Sequence, residues 1–227
     1  MTSVNKPPVV TIDGPGGAGK GTVAQAVAAQ LGWHFLDSGA IYRLLALSAQ
    51  RAGIDASQTQ QLVALAQAMN IQFPAVGKQA GQALLDGEEV SEDIRSEQCG
   101  QFASELAAQA PVRQALLDRQ RQFRKAPGLV ADGRDMGTVV FADAPLKFFL
   151  TASVEERARR RHNQLMQKGI SATLGDLLKE LKARDKRDSE RTAAPLVPAE
   201  DAITVDTTDL SAEAVIEKVL KAATDCV

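Results

Sequence analysis

Val9-Val10-Thr11-Ile12-Asp13-Gly14-Pro15-Gly16-Gly17-Ala18-Gly19-Lys20-Gly21-Thr22 reads as an apolar strand, a glycine-rich turn and the start of a helix. In that order the parts make a phosphate cradle of the P-loop kind. Glycines let successive backbone N–H groups curl onto an anion, the helix adds its positive N-terminus, and Lys20 brings a mobile charge to the outer phosphates. A glycine-rich turn alone is most often only a turn. Here the preceding strand, the spacing from Gly14 to Gly19 and Lys20, and the following helix occur together. A nucleotide is the expected ligand, held by Gly14, Pro15, Gly16, Gly17, Ala18, Gly19, Lys20, Gly21 and Thr22. One departure stands out: Gly21 occupies the place where the strict pattern puts a Ser or Thr that ligates Mg²⁺. Thr22 comes one place later, so direct ligation by that hydroxyl is not expected.

Outward from the cradle, apolar runs ending in turn residues alternate with helical periodicities. That pattern predicts an α/β fold with a mainly parallel sheet wrapped by helices. Strands are expected at 9–12, 33–36, 129–131, 147–150 and 203–205, and helices at 21–31, 40–50, 58–69, 111–123 and 154–167. Ligands of open α/β sheets collect beyond the carboxyl ends of the strands. Asp13 with the cradle, Asp37-Ser38-Gly39, Asp132-Gly133-Arg134-Asp135 and Thr151 should therefore border one crevice. Residues 71–90 break the rhythm: two short apolar runs and an Asp86-Gly87 turn predict a small antiparallel insert.

Composition narrows the classes. A chain of 227 residues, 44% hydrophobic and 24% charged, can bury a real core, and its net charge of -2 excludes a generally basic nucleic-acid coat. Only 4% of residues are aromatic, too few for the stacking platforms of an RNA-binding surface. Charge is nevertheless uneven, since residues 157–191 hold 11 of the 26 Lys and Arg against five Asp and Glu. Cys99 and Cys226 lack metal-ligand spacing, and the chain shows neither an apolar leader nor a spanning segment, so a cytoplasmic, reducing setting is expected. His34 and His162 cannot build a multi-histidine metal site and have no triad-like neighbours.

Beyond the cradle, three segments could carry chemistry. Residues 129–131 run into Asp132, the form in which a P-loop protein orients Mg²⁺ or its waters, although buried strands often end in Asp for capping alone. Asp37 or Ser38 can cap the next helix, and Arg43 lies about one turn beyond Ala40, within reach of an anion at that helix start. Arg184, Asp188 and Arg191 share one face of a helix, and Arg157, Arg159, Arg160 and Arg161 form a dense cluster. A charge run is usually a solvated face. Beside a triphosphate site, arginines also suit the equatorial oxygens of a phosphoryl group in transfer.

With these segments in place, the chain resembles the bacterial cytidylate kinases of the nucleoside monophosphate kinase family. The likeness spans about residues 9–218, and its specific pieces are the cradle, residues 37–43, residues 132–141, and Arg184-Asp185 through Asp188 and Arg191. It implies ATP as phosphoryl donor with Mg²⁺, CMP and dCMP as acceptors, and no nucleic-acid or membrane partner. A monomer is expected. It further implies one domain with a core at 8–37, 111–153 and 170–227, a monophosphate-binding region at 38–110 and a lid at 154–169. By resemblance, Ser38, Arg43, Ser104, Arg113, Arg134, Asp135, Arg184, Asp188 and Arg191 bind the monophosphate, while Lys20, Arg134, Arg191 and Arg157 act on the moving group. Asp132 holds the metal through water, and Asp188 and Arg184 hold the sugar hydroxyls. A kinase for another small acceptor, and an NTPase switch that turns over ATP without an acceptor, remain the alternative readings of the residues themselves.

Overall fold

The structure is a computed structural model that describes residues 6–73, 82–167 and 169–226, with side chains to residue 224. In chain order the elements are β1 (Val9–Asp13), α1 (Lys20–Leu31), β2 (His34–Asp37), α2 (Ser38–Arg51), α3 (Thr59–Ala68), β3 (Ile71–Gln72), β4 (Leu84–Leu85) and β5 (Glu88–Glu89). They continue with α4 (Glu97–Leu106), α5 (Ala110–Arg121), β6 (Leu129–Gly133), a π-type turn (Met136–Val140), β7 (Leu146–Thr151), α6 (Val154–Gln167), α7 (Leu174–Glu190), β8 (Ile203–Asp206) and α8 (Ala212–Cys226). The expected α/β class is observed. Five parallel strands run in the order β2-β6-β1-β7-β8, and β3-β4-β5 form a separate antiparallel sheet.

Both faces of the parallel sheet are covered, which is why its central strands read as unbroken apolar runs. The two-residue alternation survives in the direction of each side chain. Val9, Leu129 and Ala131 enter the core beneath α2 to α5, while Val10, Ile12 and Val130 enter the one beneath α1 and α8. Register then aligns the strand ends: Asp37 lies opposite Asp132, and Asp13 opposite Gly133. In the small sheet, Asp86 (φ 52°) and Gly87 (φ 88°) both take positive φ, the turn that an Asp-Gly pair favours between antiparallel strands. Residues 74–81 of the expected insert, Lys168 of the expected lid and the side chain of Cys226 lie outside the described residues.

Three helices, α4, α7 and α8, lie outside the expected ranges. The apolar stripe of α8, Val215, Val219 and Ala223, is legible only in retrospect, and α4 carries Gly100 within it. That glycine has a physical reason: a Cβ there would stand 2.6 Å from Arg43 Nη2. The helix N-terminus is capped by Ser96, whose Oγ accepts from Cys99 N at 3.3 Å.

Asp13 locks the sheet to the turn after β6. Its two carboxylate oxygens accept from Met136 N and Gly137 N, each at 2.8 Å. Burial nevertheless pushes its pKa from 3.8 up to about 6. The folded protein thus holds this proton more tightly than the unfolded chain, and the group's contribution to stability is lost as pH rises from 3.8 through about 6. Denaturant titrations at pH 4, 5 and 6 should show Asp13→Asn lacking a falling slope of up to about 1.4 kcal/mol per pH unit that the native protein has. Parallel pH profiles for the two proteins would rule the idea out.

Candidate active site

The cradle is shaped by its backbone. Gly14 has φ 144°, and a Cβ on it would lie 1.9 Å from the Leu150 carbonyl oxygen, so only glycine lets the chain pass β7 at this point. Gly19, at φ 87°, turns the chain into α1. Lys20 is buried at that helix start and donates to the Pro15 carbonyl at 2.9 Å, while Asp132 stands 3.9 Å away. Burial first, and the Arg134 charge next, pull the Lys20 ammonium down; burial pushes the Asp132 carboxyl up.

Beyond Lys20 the cations gather. A Cβ built on Gly16 would meet Arg134 Nη2 at 3.5 Å and Arg184 Nη1 at 3.8 Å, so both guanidiniums reach the tip of the loop. Arg134 is anchored by Asp188, with Nε donating to Oδ2 at 2.9 Å. Burial opposes the Asp188 charge, but Arg134 and Arg184 beside it more than offset that and hold its carboxyl below the usual range. Arg184 has no such anchor: its buried Nε lacks a hydrogen-bond partner among the described residues. Burial and the Arg134 charge bring it down to about 10. Arg43 donates from Nη1 to the Ile94 and Ser96 carbonyls at 2.6 and 3.2 Å, which leaves Nη2 uncommitted among the described hydrogen bonds.

Two cavities meet at these side chains. The larger, about 990 Å³, runs along the cradle from Gly16 past Lys20 to Thr207, Thr208 and Leu210. The smaller, about 50 Å³, is lined by Ser38, Tyr42, Ser104, Arg113, Asp135 and Arg191 among others. Gly39, Arg43, Arg134 and Arg184 line both. In the smaller cavity Arg113 pairs with Asp135 and lies 5.8 Å over the Tyr42 ring, and burial pushes Tyr42 up to about 12. Ser38 Oγ donates to Gln120 Oε1 at 2.7 Å, and Ser104 Oγ accepts from Arg187 Nε at 3.3 Å.

Arg191 stands just past the end of α7, in extended backbone, and not on one helix face with Arg184 and Asp188 as the spacing predicts. Arg157 is buried behind the cradle, where its guanidinium donates to the Ala152 and Gly16 carbonyls and to both oxygens of Asp185. The loop passes close to it at Gly17, where a Cβ would come 3.0 Å from Arg157 Cβ. Arg191 lines the small cavity rather than the junction, with Nη2 4.0 Å from Asp135 Oδ1 and buried without a hydrogen bond among the described residues. Thr22 is exposed. Arg159, Arg160 and Arg161 border the large cavity but spend their donors on Glu156, the Thr207 carbonyl and Glu97.

Sequence reasoning missed Tyr42, Gln120 and the Thr207-Thr208 loop. The loop follows β8, and the rule that placed Asp13, Asp37 and Asp132 at the crevice applies to it equally. Nothing in a single sequence marks Gln120, which is one polar residue among many on an amphipathic helix.

A phosphate cradle joined through shared arginines to a second, smaller polar cavity is the architecture of a P-loop kinase. The cytidylate kinase family profile matches residues 10–225. A cytidylate kinase of Stutzerimonas stutzeri (strain A1501) is 56% identical over 219 residues, covering 96% of each chain. One of Pseudomonas paraeruginosa (strain DSM 24068 / PA7) is 58% identical over 214 residues, covering 94% of this chain and 93% of that one. Among solved structures, shikimate kinase from Acinetobacter baumannii in complex with shikimate aligns with a TM-score of 0.45 at 16% identity, covering 96% of this chain and 94% of that one. The chain belongs to the cytidylate kinase family, a branch of the nucleoside monophosphate kinases. Among the described residues no helix is long and apolar enough to cross a membrane.

Proposed function

We propose that the protein transfers the γ-phosphoryl group of ATP in line to CMP, and also to dCMP, as an ATP:CMP phosphotransferase of pyrimidine nucleotide metabolism. The observation that carries the reading is the junction: Arg43, Arg134 and Arg184 line both cavities, and Arg184 keeps a buried donor without a partner among the described residues. Cations packed this closely repel one another until an anion arrives, and two facing phosphates are such an anion. The large cavity takes ATP, its phosphates on residues 14–22 and Lys20. The small one takes the monophosphate, with Arg43 and Arg134 on its phosphate and Arg113, Asp135, Ser38, Ser104 and Arg191 around its base and sugar. Asp188 reaches a sugar hydroxyl from beside Arg134. The core, the monophosphate-binding region at 38–110 and the lid at 154–169 close around both.

Little proton chemistry is required. The second pKa of a phosphate monoester is about 6, so the acceptor is already an anionic nucleophile at neutral pH. His34 supports this absence of a base, since its Nε2 is 2.9 Å from the Ala126 carbonyl, away from the crevice. The work is alignment and relief of repulsion. Arg184 stands where the moving group would pass, and Arg157 acts as a brace that sets the Gly16 carbonyl. Residues also fit a metal held through water: Asp132 keeps only the 3.9 Å ion pair with Lys20 among the described residues, and a Cβ on Gly21 would stand 3.3 Å from its Oδ2. Mg²⁺ there would neutralise donor-phosphate charge. A monomer in the cytoplasm completes the reading.

Base choice follows from Asp135. Cytosine presents an amino group at position 4, which a carboxylate accepts, whereas uracil presents a carbonyl. Asp135→Ala is expected to lower kcat/KM for CMP about 10- to 100-fold more than for UMP. The same coupled assay, run over CMP, dCMP, UMP, AMP and shikimate, tests the whole reading. ATP turnover that needs no acceptor, or a preference for AMP or shikimate, would overturn it.

A further inference from the structure

We propose that Gln120 is a positioning residue that makes the small cavity select a base bearing an amino group, by fixing the direction of the Ser38 hydroxyl. The inference rests on the reading of that cavity as the base site. Gln120 lies on α5 and is 2% exposed. Its amide is oriented by a carbonyl: Nε2 donates to Leu116 O at 3.3 Å, and because a carbonyl only accepts, the amide oxygen must face the other way. That oxygen meets Ser38 Oγ at 2.7 Å.

Two acceptors do not hydrogen-bond to each other, so Ser38 supplies the proton of this contact. The hydroxyl proton is thereby committed to Gln120, and what Ser38 has left for the cavity is its lone pairs. Turning the hydroxyl toward a ligand would leave a buried amide oxygen unpaired, which is costly in a closed environment. Asp135, in the same cavity, is likewise an acceptor. Ser38 and Asp135, both lining this cavity, thus offer it an acceptor wall, in which one Asp135 oxygen is already taken by Arg113. An exocyclic amino group has two N–H bonds to give such a wall, whereas a carbonyl in its place meets lone pairs only. Gln120 touches no ligand, yet it removes the rotation by which Ser38 could serve both bases.

The test is the ratio of kcat/KM for UMP to that for CMP. Gln120→Met keeps the length and frees the Ser38 hydroxyl to turn, and it is expected to raise the ratio about tenfold, the effect of one misdirected hydrogen bond. Gln120→Asn, one methylene shorter, withdraws the amide from Ser38 while keeping a polar group in the space, and carries the same expectation if Q120M does not fold. Q120E, kept neutral by burial, donates its O–H to Leu116 O and retains an acceptor toward Ser38, and should leave the ratio within about twofold. In a Ser38→Ala background, Q120M or Q120N should not move the ratio further. Equal losses on CMP and UMP in Q120M and Q120N would show a merely structural role and overturn the proposal. Wild-type protein that does not prefer CMP would instead sink the reading beneath it, an outcome seen before any variant is made.

Discussion

Lys20→Ala is expected to lower kcat about 10²- to 10³-fold, the loss found when a preorganised charge aimed at the developing transition state is removed. The ammonium is held in place by the Pro15 carbonyl and sealed from solvent, so its geometry needs little reorganisation as charge shifts. The KM for CMP should stay within about threefold, because Lys20 lies in the donor cavity only. Loss of the lysine leaves Asp132 without its ion-pair partner. Burial already pushes that carboxyl up, so it takes a proton and the fold survives. Steady-state kinetics together with a thermal melt check both halves. A variant that melts normally and keeps more than about a tenth of the native kcat would remove Lys20 from the transfer step.

Arg184→Met should separate stability from activity. This guanidinium is crowded by Arg134 and its buried Nε has no hydrogen-bond partner among the described residues, so a methionine of similar reach relieves a cost. We expect Tm to rise by about 2–4 °C, the shift that about 1 kcal/mol produces in a chain of this size. Activity should fall about 10²-fold or more, mostly in kcat, because Arg184 lines both cavities and, on the proposed reading, faces the group in flight. Calorimetry and kinetics on the same preparation decide it. A lower Tm with unchanged kcat would mean that Arg184 is a structural residue and that the junction owes its charge to Arg43 and Arg134.

Much of this architecture was legible because it rests on local rules. The apolar runs, the Asp or Gly that closes β1, β2, β6 and β8, and the Asp86-Gly87 turn each announce themselves within a few residues. So does the Asp37 cap of α2, whereas the π-type turn after Arg134 does not, since it depends on the distant Asp13 carboxylate reaching the backbone N–H groups of Met136 and Gly137. Site chemistry was legible where motifs are dense. It was not legible where function depends on which partner a side chain finds across the fold. Arg157 reads in sequence as one of four clustered cations, but Asp185 on α7 and the Gly16 carbonyl make it a brace. Gln120 gains its role from Leu116 one turn earlier and from Ser38, 82 positions away.

The gap in α4 at Gly100 carries a broader lesson about where an active site ends. Arg43 rests its flat guanidinium directly on the bare backbone of a neighbouring helix, as a casting rests in its mould. An inventory of determinants restricted to functional groups would omit that position, although any side chain there would move the cation. A methyl group placed far from either nucleotide could thus disarm the enzyme without removing a single charge.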